Sequence, residues 1–117
     1  MHHSLLSYKG SSISFYRYGQ GSEYVICFHG YGEEGRSFSF LEEMAGDRFS
    51  FFAIELPWHG NTDWKEDHPI NAASLRDIVA MILPSEAESC SLLGFSLGGR
   101  ASLSLYAEMH DQIKRMV

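Results

Sequence analysis

One serine in this chain stands where a nucleophile could be built: Ser96, within Leu93-Gly94-Phe95-Ser96-Leu97-Gly98-Gly99-Arg100. It follows an apolar run of strand length, Ser89 to Gly94, and opens a stretch with helical spacing. Strand, sharp turn and helix in that order form the setting in which a G-x-S-x-G serine is presented for attack. The turn strains the serine backbone and brings neighbouring segments too close for side chains, which is what Gly94 and Gly98 would relieve. The hydroxyl is thereby lifted clear of the sheet, and the following helix aims its amides and positive end at the place where negative charge would develop on a substrate oxygen. The competing reading is a polar residue in a glycine-rich turn.

A second motif favours the nucleophile. His29-Gly30-Tyr31-Gly32 follows another apolar run, Glu23 to Phe28, and so lies at a strand end as Ser96 does. Alone it reads equally as a glycine-rich turn with a capping histidine. Beside a serine elbow, it occupies the position from which the second half of an oxyanion hole is made, with the backbone amides of Tyr31 and Leu97 as the two expected donors.

The partners that would activate the serine are harder to find. His110 and Asp111 follow it, but they fall at the far end of its own helix, roughly 20 Å along the axis at 1.5 Å per residue, too far for proton transfer. His59 and His68 precede it and read as solvated loop histidines; Glu33 and Glu34 read as a solvated loop pair balancing Arg36.

The elements that must position these residues follow from periodicity. Ser4 to Tyr8 and Ser12 to Tyr18 predict a hairpin turned at Lys9-Gly10-Ser11. Glu23 to Phe28, Arg48 to Glu55 and Ser89 to Gly94 predict strands buried on both faces, as in a parallel sheet. Between them, Ser37 to Ala45 predicts a short helix stopped by Gly46. Asn71 is a candidate N-cap for a helix with Leu75, Ile78, Val79 and Ile82 on one face, ended by Pro84. Ser96 to about His110 predicts a third helix with Leu97, Ala101 and Leu105 on one stripe, and Ile113 onward a further strand. The alternation implies an α/β fold: a doubly wound, mostly parallel sheet in a three-layer sandwich, with an antiparallel N-terminal hairpin at one edge. Ligands in such sheets bind beyond the carboxyl ends of the strands, where both motifs lie.

With these motifs in place, the chain resembles the alpha/beta-hydrolase superfamily. The stretch from Cys27 to Phe38 looks like its oxyanion loop, Ile54 to Thr62 resembles its D-x-x-G-x-G-x-S segment, and Leu92 to Arg100 resembles its nucleophile elbow, in the family's order. Three positions depart from the pattern: Glu55 stands for the usual Asp, Trp58 for a small Gly and Thr62 for Ser. The resemblance implies Ser96 as nucleophile for an ester, thioester or C–C bond, with His29, Gly30 and Arg100 lining the substrate. The details of "GFSLGGR" are also similar to a menaquinone-pathway lyase and its relatives, in which the matching arginine meets a substrate carboxylate. Read from its own surroundings, Arg100 is equally a helix-surface charge. The family supplies its acid and histidine after the serine, beyond Val117, and its domains run to about 200–250 residues. Residues 1–117 are therefore expected to be the N-terminal half of one domain, inactive alone. The other expectations are a non-catalytic half-domain that pairs with another copy across an open sheet edge, or completion by a separate chain.

Composition bounds what remains. The 117 residues are 44% apolar and 14% aromatic, enough for a core, and carry a net charge of −6 with no basic cluster. Nucleic acid and membrane surfaces are thus poor partners, and a small carbonyl substrate is the expected ligand. No apolar run approaches the roughly 18 residues of a membrane span, so a cytoplasmic protein is expected. Cys27 and Cys90 sit in apolar runs and read as buried reduced thiols. No His/Cys/Asp grouping has metal-ligand spacing, and neither metal nor cofactor is expected.

Overall fold

The computed structural model describes all residues, 1–117. A six-stranded sheet forms from β1 (His2–Tyr8), β2 (Ser11–Tyr18), β3 (Glu23–Phe28), β4 (Phe49–Ile54), β5 (Cys90–Gly94) and β6 (Ile113–Met116), in the order β1-β2-β4-β3-β5-β6. β1 and β2 form the antiparallel hairpin, and their turn has positive φ at both Lys9 (47°) and Gly10 (83°), the type I′ geometry that matches strand twist. β2 runs antiparallel to β4, while β3 lies parallel to both β4 and β5, and β6 lies parallel to β5. The mostly parallel, hairpin-edged sheet is the architecture expected from the alternation of runs.

Central strands are buried on both faces, and alternate residues serve two cores. Ile26, Phe28, Phe52 and Ile54 face the larger one, with α2 (Ala72–Ile82) and α3 (Leu97–Met109); Val25, Cys27, Phe51 and Ala53 face the smaller one, with α1 (Leu41–Ala45). This makes the three layers. Asn71 caps α2 as expected, its side chain accepting from the Ser74 amide at 2.8 Å, and Leu75, Ile78, Val79 and Ile82 are all buried. The region expected as one short helix, Ser37 to Ala45, is split into a 3₁₀ turn, Gly35–Phe38, and α1.

One expectation is corrected on α3. Its buried stripe is Gly98, Ser102, Leu105 and Met109, while Leu97 and Ala101 are only partly covered on its flank. Small residues face the sheet here because the helix axis approaches β5 closely: a Cβ at Gly94 would strike the Gly98 carbonyl and the Ser102 hydroxyl. Both cysteines are buried and free; burial pushes the Cys90 thiol up to about 11 and the Cys27 thiol up further. No helix is long and apolar enough to cross a membrane.

Candidate active site

Ser96 sits between β5 and α3 at the carboxyl ends of the parallel strands. Its backbone is at φ 56°, ψ −113°, a left-handed conformation that costs a non-glycine residue about 1–3 kcal/mol. The strain is held from both sides. The Phe95 amide donates to the Phe28 carbonyl at 3.2 Å, and Gly98 packs so tightly on β3 that a Cβ there would overlap the same carbonyl.

The two sequence readings of the serine differ in what its hydroxyl is bonded to. At a helix N-cap, a serine hydroxyl ordinarily accepts from an amide of the first turn. Ser96 occupies the N-cap of α3, yet its side chain makes no capping bond; the Gly99 and Arg100 amides go to its carbonyl instead, at 2.9 and 3.3 Å. The hydroxyl is exposed and committed to nothing. Beside it, the amides of Tyr31 and Leu97 donate to no protein acceptor. Two uncommitted N–H groups and a free hydroxyl at one strand end suit attack on a carbonyl carbon, with the oxygen's charge taken up by the amides.

The loop carrying Tyr31 is fastened by histidines. His29 is 1% exposed; its Nδ1–H donates to the Gly30 carbonyl at 2.8 Å and its Nε2 accepts the Leu56 amide at 3.0 Å. Both ring nitrogens are spent on loops, so the imidazole is a brace between the Gly30 and Leu56 segments. Burial holds its basicity below the usual histidine range, against the raising effect of the Gly30 bond. His59, expected as a solvated loop residue, is half-buried and performs the same task one layer out. Its Nε2 accepts the Gly32 amide at 2.9 Å and its Nδ1–H donates to the Pro57 carbonyl at 3.0 Å. The two imidazole rings lie 4.8 Å apart. His68 is exposed, as expected.

Beneath both loops lies a residue whose role the sequence did not disclose. Glu55 is 1% exposed and accepts from the Ser14 hydroxyl at 2.7 Å, the Asn61 amide at 2.9 Å and the Gly35 amide at 2.9 Å. Burial raises its carboxyl, but the Asn61, Ser14 and Gly35 bonds together outweigh it and leave the group below the usual carboxylate range. The same carboxylate thus ties the start of the 3₁₀ turn to the loop after β4. Thr62, in the same network, donates to the Glu55 carbonyl at 2.6 Å and accepts the Ser14 amide at 2.9 Å.

Two hollows flank the serine. One of about 380 Å³ is lined by Tyr31, Pro57, Trp58, Ile70, Leu97 and Ala101, with Arg100 at its wall. Another of about 450 Å³ is lined by Gly30, Phe38, Phe40, Leu93, Phe95 and Val117. Arg100 is exposed and forms no ion pair, whereas Arg36, Arg48 and Arg76 each have an acid partner. Glu34 pairs with Arg36 at 2.8 Å, the balance expected for that loop. No histidine hydrogen-bonds to Ser96; His110 pairs with Asp111 at 3.2 Å at the other end of α3.

No protein-family model matches the chain. Among curated proteins it is similar to the pimeloyl-acyl-carrier-protein methyl ester esterases of Aeromonas salmonicida, at 27% identity, and Aeromonas hydrophila, at 30%. Each match runs over 106 residues, covering 91% of this chain and 40% of the relative. Among solved structures it is similar to a thioesterase domain from the curacin biosynthetic pathway, with a TM-score of 0.83, 23% identity, and coverage of 99% of this chain and 44% of that one. An epoxide hydrolase from Vigna radiata superposes with a TM-score of 0.81 at 21% identity, over 98% of this chain and 38% of its own. The chain therefore spans about two fifths of the length of the curated relatives it matches.

Proposed function

We propose, for a chain that belongs to the alpha/beta-hydrolase superfamily, that Ser96 is the nucleophile of an enzyme cleaving small esters or thioesters. The observation that carries this reading is the N-cap serine that does not cap: strained at φ 56°, exposed, and set beside two free amides. Attack by its Oγ on the substrate carbonyl forms a tetrahedral oxyanion held by the Tyr31 and Leu97 amides, each worth about 3 kcal/mol to the transition state. The leaving alcohol or thiol takes a proton, and water then releases the acyl group from the serine. The proton carrier is a histidine outside these 117 residues, which form the N-terminal half of the domain. His29 and Gly30 shape the wall by which the substrate enters.

The curated relatives' name, methyl ester esterase, supports ester hydrolysis. The unpaired Arg100 beside the hollow favours a second reading, elimination from a substrate bearing a carboxylate, in which the same serine moves a proton and no water is consumed. Incubation with p-nitrophenyl acetate followed by intact-mass analysis tests the first. An added acetyl group mapped to Ser96 and absent from Ser96→Ala is expected; acetylation elsewhere, or equal acetylation of the variant, would contradict it.

A further inference from the structure

We infer that Trp58 is a specificity-determining residue, an indole wall that holds the apolar acyl chain of the substrate in the hollow beside Leu97; this rests on the ester reading of the site. Leu56-Pro57-Trp58-His59 is a tight turn closed by the His59 amide on the Leu56 carbonyl at 3.0 Å, with proline second and φ 65° at Trp58. That is the pattern of a type II turn, whose third position calls for glycine because only glycine adopts positive φ without strain. The conformation is imposed from outside the tryptophan. His29 Nε2 holds the Leu56 amide at 3.0 Å and the His59 ring holds the Pro57 carbonyl at 3.0 Å, so the turn cannot relax around its largest side chain.

No contact within residues 1–117 repays this strain. The Trp58 side chain is 77% exposed and belongs to neither core, in contrast to Trp64, which is 8% exposed and packs in the larger one. A bulky aromatic side chain at positive φ, out in water, is the kind of outlier that marks a ligand clamp. Its surroundings name the ligand's chemistry. The hollow it lines is mostly aliphatic, Pro57, Ile70, Leu97 and Ala101, and its volume of about 380 Å³ lies within the range of small-molecule sites. Leu97 also supplies one of the two free amides, so a carbonyl seated there lies at the edge of this hollow. The occupant is the flexible aliphatic chain of the acyl group, covered on one side by the indole face.

The test measures binding apart from chemistry. In the Ser96→Ala chain, methyl octanoate is expected to shift the exposed-indole emission to the blue and shield it from acrylamide, while methyl acetate does neither. By calorimetry, Trp58→Gly should weaken methyl octanoate binding about tenfold, the scale of one lost aromatic contact, and leave methyl acetate unchanged. The same substitution should raise the melting temperature, because glycine relaxes the turn, and Trp58→Phe should keep most of the binding. Unchanged emission, equal affinity of Trp58→Gly for methyl octanoate, or a lowered melting temperature would each overturn the inference. A chain that binds methyl octanoate through Trp58 but never acylates a restored Ser96, even with imidazole added as the base, would instead contradict the ester reading and leave this one standing.

Discussion

At Ser96 a strained backbone is maintained by two glycines, and the strain is what frees the hydroxyl from its ordinary capping role. Gly98 is the more demanding of the two, since a side chain there meets backbone of β3 that cannot move without breaking the sheet. Gly98→Ala is therefore expected to destabilise the chain by about 3 kcal/mol, the upper range for overpacking, read as a lower urea midpoint at unchanged slope. A midpoint equal to that of the parent would show that β3 and α3 are not in the contact described. These features were legible in the sequence because they are local: a serine framed by glycines after an apolar run. His29, His59 and Glu55 were not legible in the same way. Their partners lie on other loops, as when His29 meets Leu56 and His59 meets Gly32, and no local spacing reports such bonds. The departure of Trp58 from the small residue was visible in the sequence, but its turn conformation was not.

Among the elements, the loops after β3 and β4 act as one unit because Glu55 and the two imidazoles bind them together. This unit gives the chain a pH response whose sign follows from the direction of each shift. His29 is buried with its basicity lowered from 6.5, so the fold favours the neutral ring; that stability is complete above 6.5 and is lost as pH falls below it. Glu55 is lowered from 4.5 and favours the anion, so its contribution is complete above 4.5 and is lost as pH falls through its folded value. Acid unfolding should thus proceed in two limbs. Glu55→Gln should abolish the lower limb and cost about 2 kcal/mol at neutral pH, because a charged acceptor of several donors is lost. Denaturation midpoints across pH check this, and an unchanged lower limb in the variant would assign it to other carboxylates. Element types were legible from periods of two and 3.6, and α2 came with its cap and face. The stripe of α3 was misread because Gly98 and Ser102 carry no hydrophobic signal, although the close approach to β5 requires small residues there.

At the scale of the whole molecule, the three layers and the hairpin edge followed from alternating strands and helices, but the strand order did not. Placing β4 between β2 and β3 depends on pairings between distant segments, Phe15 to Ile54 and Phe28 to Ile54 among them, which composition does not encode. The assembled molecule brings a strained serine, two free amides and an apolar hollow to one end of the sheet, and brings no imidazole into hydrogen-bonding contact with that serine. The proposal to be tested is that Ser96 is the nucleophile and that no imidazole among residues 1–117 serves as its base. Labelling of the 117-residue chain with a fluorophosphonate, with and without added imidazole, tests it most directly. A slow adduct on Ser96 that accelerates as imidazole is added, and is absent from Ser96→Ala, is expected. Fast labelling indifferent to imidazole, or an adduct at any other residue, would contradict it.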